Sequence, residues 1–394
     1  LYRADPLQRQ GRRIAGEGIA VLTGIAMLAG AWLIDDGWTA RHFPPDFNPP
    51  YGLIEDGVRI ARVILALCGA ALIFAVRRHV GSALARPRSA ASIALVLFAI
   101  ASALGAAELI LRSTGWNAVL PPHMETEPLR QYDPILGWTL IPSHSGVRVT
   151  AGRTIPYFTD PYGYREPDSH RKPDFARPAI LFAGESIMSG RGLTWQESIP
   201  AQVGSLLSVQ AVDISVRGYA TDQNYLRLKA ELRRFRRPIA VVLLFSPMLF
   251  RRNCDDGRPH LGPDLVWRPA ATRWRLATLA RRVVPYRSEA EIRRCILTTR
   301  AILRAVAKLA RARGAAVIIF VPQFMPENQA ERLIRKQVLS DMDVPMLPVA
   351  LDPRWRLPND SHPNARAAHV MAVAIAHRLK SADWGRSGSS LQCE

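Results

Sequence analysis

Apolar positions along this chain fall into two regimes. Up to residue 112 they gather in three long runs, and from residue 178 they recur in short bursts, each followed by a segment of helical period. In the first regime, 18–34 carries no charge, and 90–107 continues through Glu108 to Leu111. A helix crosses a hydrocarbon core about 30 Å thick in roughly 20 residues, so each of these runs predicts a spanning helix. The middle run, 63–76, is short. It reaches spanning length, over 58–76, only if Arg59 and Arg62 extend their guanidinium groups toward the lipid headgroups. The expected membrane region is therefore 1–112, with helices near 18–34, 58–76 and 90–111.

The flanking charges give these spans a direction. Arg3, Arg9, Arg12 and Arg13 precede the first run, and Arg77, Arg78, Arg86 and Arg88 lie between the second and third. The loop 35–57 holds Asp35, Asp36, Asp46, Glu55 and Asp56 against Arg41 alone. Under the positive-inside rule the N-terminus is inside, and everything after Arg112 faces the periplasm or the exterior of a bacterial inner membrane. If the middle run does not span, the rest of the chain faces the cytoplasm instead. A cleaved signal peptide would account for the first run but not for two further runs with alternating charge.

Beyond the membrane region, 114–128 is rich in proline and polar residues and reads as a linker. Short alternations such as 147–150 and 155–158, broken by Gly, Pro and Asp, predict a small antiparallel addition packed on the following domain. The lead-in therefore covers 113–177. The second regime then places apolar strands at 179–183, 209–214, 240–245, 315–321 and 344–347. Helices are expected at 196–207, 222–235, 289–313, 328–337 and 363–380, and the segment between 245 and 289 reads as irregular. Strands that are apolar on both faces, each followed by a helix, predict a parallel sheet covered on both sides. This α/β domain spans 178–382 and is followed by a polar tail, 383–394.

Composition narrows the possible partners. The net charge is +19 and is nearly all arginine, since only five lysines occur. Such a charge suits nucleic acid, anionic lipid or acidic polysaccharide. No helix-turn-helix, zinc-finger or RNA-binding signature accompanies it, so nucleic acid is not an expected partner. The arginines read instead as a basic face beside an anionic membrane. The four cysteines form no C-x-x-C pair, which excludes a zinc ribbon or a thioredoxin-type motif. Cys68 lies in an apolar run and Cys393 in the tail. Cys254 and Cys295 remain as a candidate disulfide, bridged or free according to the compartment.

In an open α/β sheet, ligands bind beyond the carboxyl ends of the strands. Three segments fall there: Gly184-Glu185-Ser186, Arg217-Gly218-Tyr219 and Asn359-Asp360-Ser361-His362. A serine at a strand-to-helix turn presents its hydroxyl, with its amide beside a helix start, and needs a base to take its proton. His362 can supply that base, and Asp360 is near enough to fix its tautomer. Gly218 lets the backbone approach a substrate oxygen and offer an amide to an oxyanion. Each signal has an ordinary structural alternative. Asp360 or Ser361 could cap the last helix, and Gly218 could serve a tight turn. Their common edge and their order favour the chemical reading.

The run Ala179-Ile-Leu-Phe-Ala-Gly-Glu-Ser186, with Gly190 and Gly192 beyond, resembles block I of the SGNH (GDSL-like) hydrolases. Arg217-Gly-Tyr-Ala-Thr-Asp-Gln223 is similar to block II, and Asp360-Ser-His-Pro-Asn364, with His369 after it, to block V. Tyr132-Asp-Pro-Ile-Leu-Gly-Trp138 and Tyr162-Gly-Tyr-Arg165 look like the lead-in of membrane-anchored bacterial members. The resemblance implies a three-layer α/β/α, flavodoxin-like domain. It implies Ser186 as nucleophile, His362 as base, Asp360 as its orienter, and the amides of Ser186 and Gly218 as oxyanion donors. Glu185 stands where the family usually has Asp. Asn359 stands where its Asp often lies. Block III usually places an asparagine near Met248, and here the segment reads Ser246-Pro-Met-Leu-Phe250. Loss of one oxyanion donor can raise the barrier by roughly 3 kcal/mol, so Asn253 and Arg251 are candidate substitutes.

The expected activity is therefore that of a serine-dependent esterase or acyl (acetyl) transferase acting on cell-envelope glycan or lipid esters. No metal or organic cofactor is expected. The alternative is a non-catalytic membrane protein that binds glycan or assists a membrane-bound acyltransferase.

Overall fold

The computed structural model describes residues 6–43, 51–86, 89–114, 129–168, 170–271, 274–325 and 327–381. Nearly all of the expected linker at 114–128 and all of the tail at 383–394 lie outside these residues. The chain divides into two units, Leu1–Ala118 with Arg273–Arg287, and Val119–Thr272 with Ser288–Glu394.

Among the described residues, the first unit contains three helices long and apolar enough to cross a membrane: Leu7–Leu33, Gly52–Leu84 and Ser89–Ser113. The middle one is longer than its apolar run suggests. Its 33 residues extend about 50 Å at 1.5 Å per residue, with a π-helical stretch at Leu72–Val76. The charged residues of its first turns have partners. Arg59 lies 3.6 Å from Asp56 and 3.7 Å from Asp36, and Arg62 Nε donates to the Ala31 carbonyl at 3.1 Å. The first two helices meet through glycines. A Cβ on Gly24 would stand 2.7 Å from the Gly69 carbonyl, and one on Gly81 2.8 Å from the Arg13 carbonyl. Such small residues let helix backbones approach in lipid, where dispersion rather than water exclusion drives packing.

The amphipathic helix Arg275–Val283 belongs to this unit as well. The buried Glu108 carboxylate accepts from the amides of Arg275 and Leu276 at 2.9 and 2.8 Å, and from Arg112 Nε at 2.8 Å. The Arg287 amide donates to the His42 carbonyl at 2.8 Å. The segment after the first long helix and the end of the third therefore lie at the same end of this unit.

In the second unit the strands are β1 (Arg130–Asp133), β2 (Gly137–Leu140), β3 (Ser145–Thr150), β4 (Arg153–Thr159), β5 (Arg165–Glu166), β6 (Pro178–Ala183), β7 (Gln210–Asp213), β8 (Arg237–Leu244), β9 (His260–Leu261), β10 (Trp267–Arg268), β11 (Ala316–Phe324) and β12 (Met346–Leu351). Eight of them form one sheet in the order β12-β11-β8-β6-β7-β5-β4-β3. The five parallel strands, numbered among themselves along the chain, run 2-1-3-4-5, the flavodoxin-like order. The central strands β6 and β8 are almost wholly buried, as their continuous apolar character requires. Helices Ile199–Leu207 and Ala365–Ser381 pack together, and Thr221–Glu231 and Gln329–Leu339 pack against Glu289–Arg311. The α/β expectation holds.

Three details differ from the sequence reading. The lead-in strands divide: β1 and β2 form a separate antiparallel hairpin, while β5, β4 and β3 extend the main sheet antiparallel from β7, through the pair Arg165–Asp213. They cover an edge that would otherwise expose unpaired backbone groups. The segment between 245 and 289 is not irregular throughout. It holds the helix Pro247–Asn253, the β9–β10 pair and the helix Arg275–Val283. The helix expected from residue 196 starts at Ile199, because Ser198 caps it by accepting from the Ala201 amide. Cys254 and Cys295 are joined in a disulfide, with their Cα atoms 5.2 Å apart. It ties Pro247–Asn253 to Glu289–Arg311.

Candidate active site

Gly184 closes β6 and brings the chain over to Ser186. A Cβ at Gly184 would stand 2.6 Å from Met188 Cβ and 3.2 Å from Leu244 Cβ, so the turn needs glycine. The residues after Ser186 form a string of turns rather than a helix. The amides of Ser189 and Arg191 donate to the carbonyls of Glu185 and Ser186, each at 2.9 Å, and Gly190 and Gly192 take φ of +64° and +73°. The serine amide is therefore not at a helix start. The lead-in strands hold these turns in place. Arg165 is buried and donates to the carbonyls of Ser189, Gly190 and Leu193, while its guanidinium sits 4.3 Å over the Tyr157 ring. The Tyr157 hydroxyl donates to the Gly190 carbonyl and accepts from the Gly192 amide, at 3.1 and 3.0 Å.

The loop after β12 brings His362 to the serine. Asn359 adopts a left-handed conformation, and the Leu357 amide donates to the His362 carbonyl at 2.8 Å. Ser186 Oγ lies 2.7 Å from His362 Nε2. On the other side of the ring, His362 Nδ1 is 2.5 Å from Asp360 Oδ1, which also accepts from the His362 amide at 2.9 Å. Neither Asp360 nor Ser361 caps the last helix. Asn364 Oδ1 does so, accepting from the Ala367 amide at 3.0 Å. Burial pushes the His362 imidazole below its ordinary pKa, against the opposing charge of Glu185 and the Asp360 hydrogen bond. Burial alone would raise Asp360. The hydrogen bonds from His362 and the charges of His362 and Arg191 outweigh it and hold the carboxyl low.

Gly218 sits in a turn closed by the Tyr219 amide on the Val216 carbonyl, 3.1 Å, with φ of +87°. The turn is tied to the serine strand by the Val216 amide, which donates to the Gly184 carbonyl at 3.3 Å. Arg130 Nη1 and Trp138 Nε1 both donate to the Arg217 carbonyl at 3.1 Å. The hairpin β1–β2 thus buttresses the turn that carries Gly218.

The expected substitute donors fare differently. Both N–H groups of Asn253 are spent on the hydroxyls of Thr221 and Thr299, so this amide is not a donor to the serine. The side chain of Arg251 lies outside the described residues. Arg252, between the two, approaches the site. Its Nη1 donates to the Tyr219 carbonyl at 3.1 Å and stands 3.9 Å from Glu185 Oε2.

Two further contacts escaped the sequence reading. Arg191 Nη2 pairs with Asp360 Oδ2 at 3.0 Å and so grips the orienting carboxylate from the side away from His362. Glu185 turns its carboxylate back on the next residue, accepting from the Ser186 amide at 2.6 Å and from its hydroxyl. The placement of Arg191 between two glycines of block I was the only trace of the first. The extra methylene of Glu over Asp was the only trace of the second.

No family model and no curated protein matches the sequence. Among solved structures, the chain is similar to a lipolytic protein of the G-D-S-L family from Desulfitobacterium hafniense, at 13% identity over 51% of this chain and 98% of that one, with a TM-score of 0.34. It is similar to an acetyl xylan esterase from the rumen bacterium Butyrivibrio proteoclasticus, at 14% identity over 55% of this chain and 66% of that one, with a TM-score of 0.33. A salicylyl-acyltransferase from a tetracycline biosynthetic pathway matches at 14% identity over 54% of this chain and 56% of that one, with a TM-score of 0.34. The likeness is one of fold alone.

Proposed function

We propose that this chain is a serine-dependent ester hydrolase or acyltransferase. The observation that carries the reading is the line of contacts Ser186 Oγ–His362 Nε2–Nδ1–Asp360 Oδ1, at 2.7 and 2.5 Å. His362 takes the hydroxyl proton as Ser186 attacks an acyl carbonyl, and Asp360 stabilises the imidazolium that forms. The proton then passes to the leaving alkoxide, and an acyl-serine remains. Water or a sugar hydroxyl, deprotonated in turn by His362, releases the acyl group and regenerates Ser186. The amides of Ser186 and Gly218 are the proposed oxyanion donors.

The proposed setting is a bacterial inner membrane, crossed three times, with the α/β unit on the extracytoplasmic side. The alternating loop charges and the Cys254–Cys295 bridge support that side. Acyl esters of cell-envelope glycans or lipids are then the substrates within reach.

The second reading is a non-catalytic member that binds glycan or assists a membrane-bound acyltransferase. The Glu185 carboxylate on the Ser186 amide favours it, because an oxyanion would need that donor. A fluorophosphonate probe on the detergent-solubilised full chain separates the two. Labelling of the wild type that vanishes in Ser186→Ala supports the enzyme. A folded wild type that takes no label overturns it and leaves the binding role.

A further inference from the structure

The third long helix carries a carboxylate inside its apolar run. Glu108 stands before the helix ends at Ser113, about 8 Å along the axis at about 1.5 Å per residue. Its neighbours Leu109 and Ile110 are exposed. The outer surface of the helix is thus still apolar at this level, where a bare carboxylate would be costly in lipid. Glu108 is instead buried, held by the amides of Arg275 and Leu276 and by Arg112. The helix Arg275–Val283 therefore starts short of the end of the long helix, beside a surface that is apolar on both sides of the contact.

The segment that begins there is amphipathic. At helical spacing Leu276, Leu279 and Ala280 share one face, and Thr278 and Arg281 fall on the opposite one. The apolar face is only partly covered: Leu276 is half-buried, while Leu279 and Ala280 are exposed. Trp274 before the helix and Val284 after it are 61% and 53% exposed. The far end of the segment is held as firmly as the near end. The Tyr286 ring stacks on Trp38 and His42, with centroids 5.9 and 5.4 Å away, and His42 Nδ1 lies 2.6 Å from the Arg287 carbonyl oxygen. Trp32, in the last turn of the first long helix, is exposed at the same end of this unit. Tryptophan and tyrosine gather in this way at the boundary between a bilayer and water.

We propose that the segment from Trp274 to Tyr286 is an interfacial anchor, lying along the boundary between acyl chains and headgroups with Trp274, Leu279 and Val284 in the lipid. The proposal rests on the reading of the three long helices as membrane spans. Lipid is the occupant because the uncovered face continues the exposed apolar surface of those helices, through Leu109, Ile110 and Trp32. The level of Glu108 also agrees with the depth of about 5–10 Å at which amphipathic helices lie in a bilayer. The chain leaves the α/β unit at Thr272 and rejoins it at Ser288. The anchor is accordingly a second tether to the membrane, separate from the chain that follows the third long helix.

Depth-dependent quenching in the full chain, reconstituted in nanodiscs, tests this. Cys68→Ser with Cys393→Ser leaves the Cys254–Cys295 bridge and clears the background for single cysteines carrying an environment-sensitive fluorophore. Leu279→Cys and Val284→Cys are each expected to lose roughly half their fluorescence to lipid spin-labelled high on the acyl chain, and little to iodide in the water. Leu97→Cys, inside the third long helix, should respond most to lipid labelled near the chain end. Val373→Cys, an exposed apolar position of the α/β unit, should respond to iodide alone. Without any label, Trp274→Phe should lower the share of intrinsic fluorescence quenched by brominated lipid. Iodide quenching without lipid quenching at 279 and 284, with Leu97→Cys still quenched from the chain end, overturns the anchor and leaves the spans standing. Lipid quenching of Val373→Cys equal to that of Leu279→Cys, or an unchanged share in Trp274→Phe, also overturns it. No lipid quenching of Leu97→Cys overturns the spanning reading and the anchor with it.

Discussion

The carboxylate of Glu185 accepts hydrogen bonds from both the amide and the hydroxyl of its neighbour, Ser186. The amide that would steady an oxyanion thus already faces a carboxylate, and the hydroxyl lies between Glu185 and His362. Arg252, 3.9 Å from Glu185, is a cation that partly offsets this charge. In the proposed mechanism a substrate carbonyl oxygen would compete with Glu185 for the Ser186 amide, which would raise the barrier to acylation.

Shortening or neutralising that side chain is therefore expected to help. Glu185→Asp withdraws the carboxylate by one methylene, and Glu185→Gln removes its charge. Each should raise the rate of fluorophosphonate labelling by about tenfold, equivalent to about 1.4 kcal/mol in the barrier. Second-order labelling rates measure this directly. Slower labelling in both variants would mean that Glu185 holds the serine loop together instead.

As the proposed base, His362 would have to be neutral to accept the serine proton, and burial holds its imidazole below the ordinary value of 6.5. The acid limb of the labelling rate should consequently fall below pH 6.5, with a plateau above it. Asp360→Asn removes the anionic partner that raises His362. Its limb should move to still lower pH, while the plateau drops by roughly a thousandfold or more through loss of the correct tautomer. A drop without movement of the limb would indicate misfolding of the loop.

The meeting of Ser186, Asp360 and His362 was legible because it depends on chain order. Each lies just past a strand whose continuous apolar character marks it as part of the sheet, and parallel strands put their carboxyl ends on one side. Glu185 and Arg191 were not legible in the same way. Their contacts depend on the turns at 185–192, which are shaped by Arg165 and Tyr157 from strands more than twenty residues upstream. Asn253 is one of two candidate substitute donors in the sequence, yet its amide is turned to Thr221 and Thr299. The helix Arg275–Val283 went unread because its apolar positions are interrupted by arginines, and the Glu108 carboxylate that caps it lies 167 residues away.

Glu166 gives the α/β unit a pH dependence of its own. Burial, and next the charge of Asp160, push its carboxyl up to about 8 from 4.5. Asp213 and Asp168 add to the rise, and Arg171 opposes it. Between those two values the folded chain keeps a proton that the unfolded chain releases, so stability falls as pH rises across that window. The stabilisation is complete below pH 4.5 and lost by passage through about 8. Thermal unfolding of the full chain should occur at higher temperature at pH 5.5 than at pH 8.5, and Glu166→Gln should narrow the gap. An equal gap in the variant would assign the effect to other carboxyls.

The Cys254–Cys295 bridge closes a loop with a sequence separation of 41. In the chain-entropy account, restricting the unfolded state over such a loop stabilises the fold by about 4 kcal/mol. The paired variant Cys254→Ser with Cys295→Ser should lower the unfolding temperature of the α/β unit. It should also slow labelling of Ser186, because Arg252 and the helix Pro247–Asn253 are anchored next to Cys254. The same bridge reports on the side of the membrane, since such bonds persist in oxidising compartments and not in the cytosol. Alkylation in intact membranes without reductant, followed by mass analysis, should leave Cys254 and Cys295 unmodified. Both thiols alkylated in freshly isolated membranes would place the α/β unit on the cytoplasmic side and overturn the three-crossing topology proposed for this chain.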